Sequence, residues 1–183
     1  MISVLFGGVT ALLPIFAADV LFVGAKGLGL LRAAPAIGAA LMSLGLTRVN
    51  LRPKAGQWLF SAVASFGVCI LIFAMSRNFI LSFVTLAMSG AVDNISMVIR
   101  STCVQLASPN DMRGRISAVN SIFIGSSNEI GELESGVTAK IMGAINATWF
   151  GGIMCLLTTV VMAWRYPALR KMNLDKVHAE GGN

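Results

Sequence analysis

Apolar residues come along the chain in six blocks, at about 2–22, 27–47, 56–75, 79–106, 116–139 and 145–164. Each block is near the roughly 20 residues that an α-helix needs to cross a bilayer. Inside the blocks the apolar positions are almost continuous rather than striped at a helical period, so these segments expect apolar surroundings on most sides. The breaks between them carry turn residues: Gly24 to Gly29, Asn50 to Gly56 with Pro53, Arg77 with Asn78, Ser108 to Arg115 with Pro109, and Met142 to Thr148. None of these breaks is long enough to link separate domains. Backbone polar groups in lipid must be satisfied within the protein, which leaves helices or a closed barrel. Barrel strands alternate over about ten residues, whereas these blocks do not, and their Gly, Ala and Ser suit close helix packing. The pattern therefore predicts an all-α membrane protein, a six-transmembrane-helix bundle over 1–164 with a polar cytoplasmic tail over 165–183. The first block lacks the basic start and the Ala-x-Ala site of a cleaved signal peptide, and the chain is expected to begin at a helix.

Composition agrees with that reading. The chain is 56% hydrophobic and 12% charged, with a mean hydropathy of +0.78, while a soluble domain carries about a quarter charged residues. The net charge of +6 would point to nucleic acid if the basic residues clustered with aromatics on a polar module. Here they lie between apolar blocks, so no nucleic-acid partner is expected. Arg48, Arg52 and Lys54 fall in the second break, Arg113 and Arg115 in the fourth, and Arg165, Arg170, Lys171 and Lys176 in the tail. In a six-span arrangement these share one side, facing only Lys26, Arg77 and Lys140, with Arg32 nearby, on the other. Retention of basic loops then places both chain ends in the cytoplasm, in a multi-pass protein of the cell inner (plasma) membrane. Trp58 and Trp164 would mark cytoplasmic span ends and Trp149 the opposite interface.

Cys69, Cys103 and Cys155 lack metal or thiol-exchange spacing, and His178 is the single histidine. No metal site, no cofactor and no catalytic residue is expected, because no nucleophile is accompanied by a base. The informative residues are polar ones inside apolar blocks. Asp93, Asn94 and Arg100 fall in the fourth, and Asn128, Glu129, Glu132 and Glu134 in the fifth. An ionised group at the bilayer centre costs at least about 2.5 kcal/mol on insertion scales, so such residues face a cavity or a partner. Glu129 and Glu132 are three apart and share a helix face with Gly125 and Gly136, while Glu134 points away and reads as structural or interfacial. A close pair of carboxylates can hold one proton between them, as a proton-coupling group does. A buried ion pair with Arg100, or a hydrogen-bonded packing cluster, explains the same residues. Asp93 follows Gly90-Ala91-Val92, and Pro14 interrupts the first block. Where six spans form three-plus-three inverted repeats, the first and fourth correspond, and matched Gly or Pro interruptions mark a central site. Packing alone accounts for Pro14 equally well. Arg32 beside Pro35 can snorkel to the headgroups.

The run Pro109-Asn110-Asp111-Met112-Arg113-Gly114-Arg115-Ile116-Ser117-Ala118-Val119-Asn120, continued by Ser127-Asn128-Glu129-Ile130-Gly131-Glu132-Leu133-Glu134-Ser135-Gly136, resembles the major facilitator superfamily, nearest its bacterial enterobactin-exporter-like branch. Leu13-Pro14-Ile15-Phe16-Ala17 and Gly29-Leu30-Leu31-Arg32-Ala33-Ala34-Pro35-Ala36-Ile37-Gly38 look like the seventh and eighth helices of that group. The resemblance implies one half of a twelve-helix fold, the carboxy-terminal six-helix bundle, with substrate passing between two bundles that rock. It implies that the first and fourth helices of this half face the cavity, and that Arg48, Arg52, Arg113, Gly114 and Arg115 belong to the cytoplasmic gate loops. The loop around Arg48, Arg52 and Lys54 departs from the superfamily pattern by lacking its acidic residue. The expected function is proton-coupled export of a small-molecule substrate, siderophore or drug-like, with protons as the coupling ion and Asp93, Asn94, Arg100, Asn128, Glu129 and Glu132 along the pathway. The expected partners are the lipid bilayer and an amino-terminal six-helix half or a second copy. The alternative is a half-bundle that serves as a membrane interaction subunit without transport of its own.

Overall fold

A computed structural model describes residues 2–48, 54–108 and 112–165. Arg52, the Pro109-Asn110-Asp111 run and the tail after Arg165 lie outside the described residues. Every regular element among those described is helical: α1 (Ile2–Ile15), α2 (Gly24–Leu46), α3 (Ala55–Met75), α4 (Phe79–Ala107), α5 (Arg113–Met142) and α6 (Ala144–Arg165). Observed and expected boundaries differ by a few residues at most, except in the first element. There α1 stops at Ile15 and continues as one π turn, Phe16–Val20. Pro14, which has no N–H to give and crowds the turn before it, lies inside α1, and the π turn follows it. The wider turn is closed by Leu21 N–H on the Phe16 carbonyl at 2.9 Å and Val23 N–H on the Ala17 carbonyl at 3.1 Å. The chain then reverses through Phe22, a non-glycine residue at φ 53°.

Four helices, α2, α3, α4 and α6, are long and apolar enough to cross a membrane. By that measure α1 is too short and α5, which is 30 residues long, is too polar. The described residues are those of an all-helical membrane protein, and four of their six helices carry an independent spanning signature.

Packing orders the helices around α1, α3 and α4. α2 lies along α4, α1 along α5, and α3 between α4 and α6, whereas α4 and α5 scarcely touch. Lipid tails are as apolar as leucine, so close packing rather than water exclusion holds such helices together. The α2–α4 crossing shows how. A Cβ at Gly90 would sit 2.6 Å from the Pro35 carbonyl carbon, and one at Gly38 would sit 2.6 Å from the Ala87 carbonyl carbon. Only glycine lets the two backbones approach so closely. At the other end of the core, fully buried Phe16 and Phe73 place their ring centroids 4.7 Å apart and join the π turn to α3. Outward-facing large side chains, among them Leu41, Leu44, Val160 and a 92% exposed Trp164, form the apolar exterior suited to lipid.

Candidate functional site

α4 brings its polar residues to the middle of the packed region. The close approach at Gly90 sets α4 against α2 just before Asp93, which borders a chamber of about 140 Å³ lined also by Thr10 of α1, Pro35 of α2, Phe66 of α3 and Ser89 of α4. Asp93 Oδ1 is sheltered and has no hydrogen-bond partner among the described residues. Its nearest opposite charge is Arg100 Nη2 at 3.7 Å, too far for a hydrogen bond. Two turns separate these residues, so they share one face of the same helix. Arg100 also donates from Nε to the Ser96 carbonyl at 3.3 Å, which directs the guanidinium back along α4. Ser43 Oγ of α2 stands 3.3 Å from Asn94 Oδ1 and 2.9 Å from the Ala39 carbonyl, within hydrogen-bond reach of both.

On α5 the residues facing the rest of the protein are small or weakly polar: Gly131 and Ala139 are buried and Ser127 and Ser135 half-buried. At 100° per residue, Asn128, Glu129, Glu132, Gly125 and Gly136 lie together on one flank of that contact stripe, and Val119, Phe123, Ile130 and Val137 on the other. Both flanks are exposed. Glu132 turns toward α1, where Thr10 Oγ1 donates to its Oε1 at 3.1 Å. Glu129 stays outward on the same flank, and Glu134 is exposed near the stripe's opposite margin.

The structure thus brings Asp93 to Arg100, Asn94 to Ser43 and Glu132 to Thr10, and leaves Asn128 and Glu129 exposed on α5. It does not pair Arg100 with the glutamates. Arg100 reaches instead toward a cleft of about 300 Å³ between α4 and α5, whose α5 wall includes Asn120 and Ser127. Among the residues expected in gate loops, Arg48 is exposed just after α2, Arg113 opens α5, and Gly114 and Arg115 are exposed in its first turn. Thr10 and Ser89 were not among the residues the sequence singled out. A hydroxyl one turn before Pro14 in a largely apolar block was the signal for Thr10, and nothing local distinguishes Ser89 from other serines of α4.

An all-helical, membrane-embedded set of described residues, with Asp93 on α4, Glu129, Glu132 and Glu134 on α5 and Asp19 in the π turn, fits a transporter of the major facilitator type. The family described as transmembrane secretion effector matches residues 2–180, and the chain belongs to that family. No curated protein and no solved structure matches it.

Proposed function

We propose that this chain is the carboxy-terminal six-span half of a proton-coupled exporter of small molecules, siderophore or drug-like, working by alternating access in the inner (plasma) membrane with both ends cytoplasmic. Membership in the secretion family supports export. The observation that carries the coupling is Asp93, whose sheltered Oδ1 has one charge nearby, Arg100, and no hydrogen bond among the described residues. A coupling ion can bias a conformational equilibrium only if it binds the two states differently. Approach of Arg100 favours the ionised carboxylate, and separation favours the protonated one, so a motion that changes this distance exchanges a proton. In this reading α1 with its π turn and α5 complete the six spans, and the polar flank of α5 faces an aqueous pathway. Arg48, Arg52, Arg113 and Arg115 brace the cytoplasmic gate, and the missing wall of the pathway comes from an amino-terminal six-helix half or from a second copy.

The test is pH-gradient-driven efflux from proteoliposomes containing this chain together with its amino-terminal half. Asp93→Asn removes proton exchange and is expected to abolish gradient-driven efflux while the purified protein stays monodisperse. Full coupled efflux from Asp93→Asn would remove Asp93 from the coupling mechanism. A second reading, a half-bundle acting as a membrane interaction subunit, draws on the exposed polar flank of α5. It predicts stable association with a membrane partner and no flux under any gradient.

A further inference from the structure

We infer that Thr10 relays protons between Glu132 of α5 and Asp93 of α4, an inference that rests on the proton-coupled reading above. The two carboxylates sit on helices that scarcely meet, and α1 packs along α5 and borders the chamber beside α4. One link between the acids runs through α1, which touches Glu132 and lines the Asp93 chamber. Thr10 is placed to make it: its hydroxyl donates to Glu132 Oε1 at 3.1 Å, and the same residue lines the chamber that Asp93 borders. The chamber holds about 140 Å³. A water needs about 10–15 Å³ of such space and two to four polar partners. Asp93, Ser89 and Thr10 supply those partners, and the sheltered Asp93 Oδ1 is an acceptor that a chamber water satisfies.

Taken from Asp93 outward, the step balances with O–H bonds alone. The Asp93 carboxyl gives its proton to a chamber water, the water passes one of its own to Thr10 Oγ1, and the hydroxyl releases its original hydrogen to Glu132 Oε1. Asp93 ends as a carboxylate and Glu132 as a carboxyl. The water and Thr10 are chemically unchanged, and the hydroxyl turns back before the next transfer. Arg100 at 3.7 Å faces the carboxylate left behind. The walls contributed by α2 and α3, Pro35, Phe66 and Ile70, carry no charge. Glu129 on α5 is the other titratable group on the Glu132 flank.

The experiment follows the infrared band of the protonated Asp93 carboxyl, identified by its loss in Asp93→Asn, in the full chain in lipid nanodiscs after transfer to heavy water. Thr10→Val keeps the side-chain shape without the hydroxyl and is expected to slow deuterium exchange at Asp93 by about a hundredfold, the low side of what a positioned proton-transfer group contributes. Thr10→Ser is expected to exchange at the original rate. Thr10→Ala serves as a second hydroxyl-free variant should the valine disturb assembly. Unchanged exchange in a folded Thr10→Val or Thr10→Ala, or exchange in Thr10→Ser as slow as in Thr10→Val, overturns the relay. Because this readout needs no transport, it separates the two proposals. Slowed exchange alongside undiminished efflux from Asp93→Asn leaves the relay standing and sinks the coupling, and normal exchange alongside lost efflux does the reverse.

Discussion

Replacing Gly90 with alanine tests how α4 is held against α2 and therefore how Asp93 reaches its chamber. The added Cβ would stand 2.6 Å from the Pro35 carbonyl carbon and closer still to its oxygen, where ordinary contact begins at 3.4 Å. Its obstacle is backbone rather than the end of a flexible side chain, so the helices must part by more than an ångström. Overpacking of this kind costs about 1–3 kcal/mol. Alanine's better helix propensity returns roughly 0.5–1 kcal/mol, which leaves Gly90→Ala destabilising by about 0.5–2 kcal/mol. The internal standard is Gly29→Ala, whose Cβ would meet nothing within 4 Å and which should be neutral or stabilising. Equilibrium unfolding of both variants in the same detergent measures the difference. Gly38→Ala, blocked by the Ala87 backbone, should behave like Gly90→Ala. Equal stability of Gly90→Ala and Gly29→Ala would falsify the claim that the α2–α4 crossing is fixed by backbone approach.

Phe22 sits at φ 53° and is 81% exposed, so Phe22→Gly should relieve strain and stabilise by about 1 kcal/mol in the same unfolding assay. Phe16→Ala opens a cavity against Phe73; about 2 kcal/mol is expected, below the ~3–5 of soluble cores because lipid removes most of the transfer contribution. Trp164, 92% exposed on α6, should be quenched strongly by lipids brominated near the headgroup, and quenching no stronger than for half-buried Trp149 would place the α6 end away from the bilayer.

Span positions were legible because bilayer thickness sets a length that composition alone reveals: the block expected at 79–106 is the helix Phe79–Ala107. α5 was legible as a helix yet lacks the hydropathy of a span, since Asn128, Glu129, Glu132 and Glu134 dilute its apolar content. The Asp93–Arg100 pairing was within reach of the sequence, because residues seven apart share a helix face. Thr10 meeting Glu132 was not legible, for that contact depends on α1 packing along α5, which no spacing within either helix encodes. The π turn was equally hidden: Pro14 announced a disturbance without specifying that Phe16–Val20 would widen rather than kink.

The claim on which the functional account turns is that the polar flank of α5 looks into water and its other flank into lipid. Spin labels placed singly from position 117 to 137 in lipid nanodiscs, read for collision with oxygen and with a water-soluble nickel chelate, measure this directly. The account predicts two helical waves out of phase, oxygen peaking at Val119, Phe123, Ile130 and Val137 and the chelate at Ser121, Gly125, Asn128, Glu132 and Gly136. Waves in phase, or high oxygen and no chelate on the carboxylate flank, would contradict it.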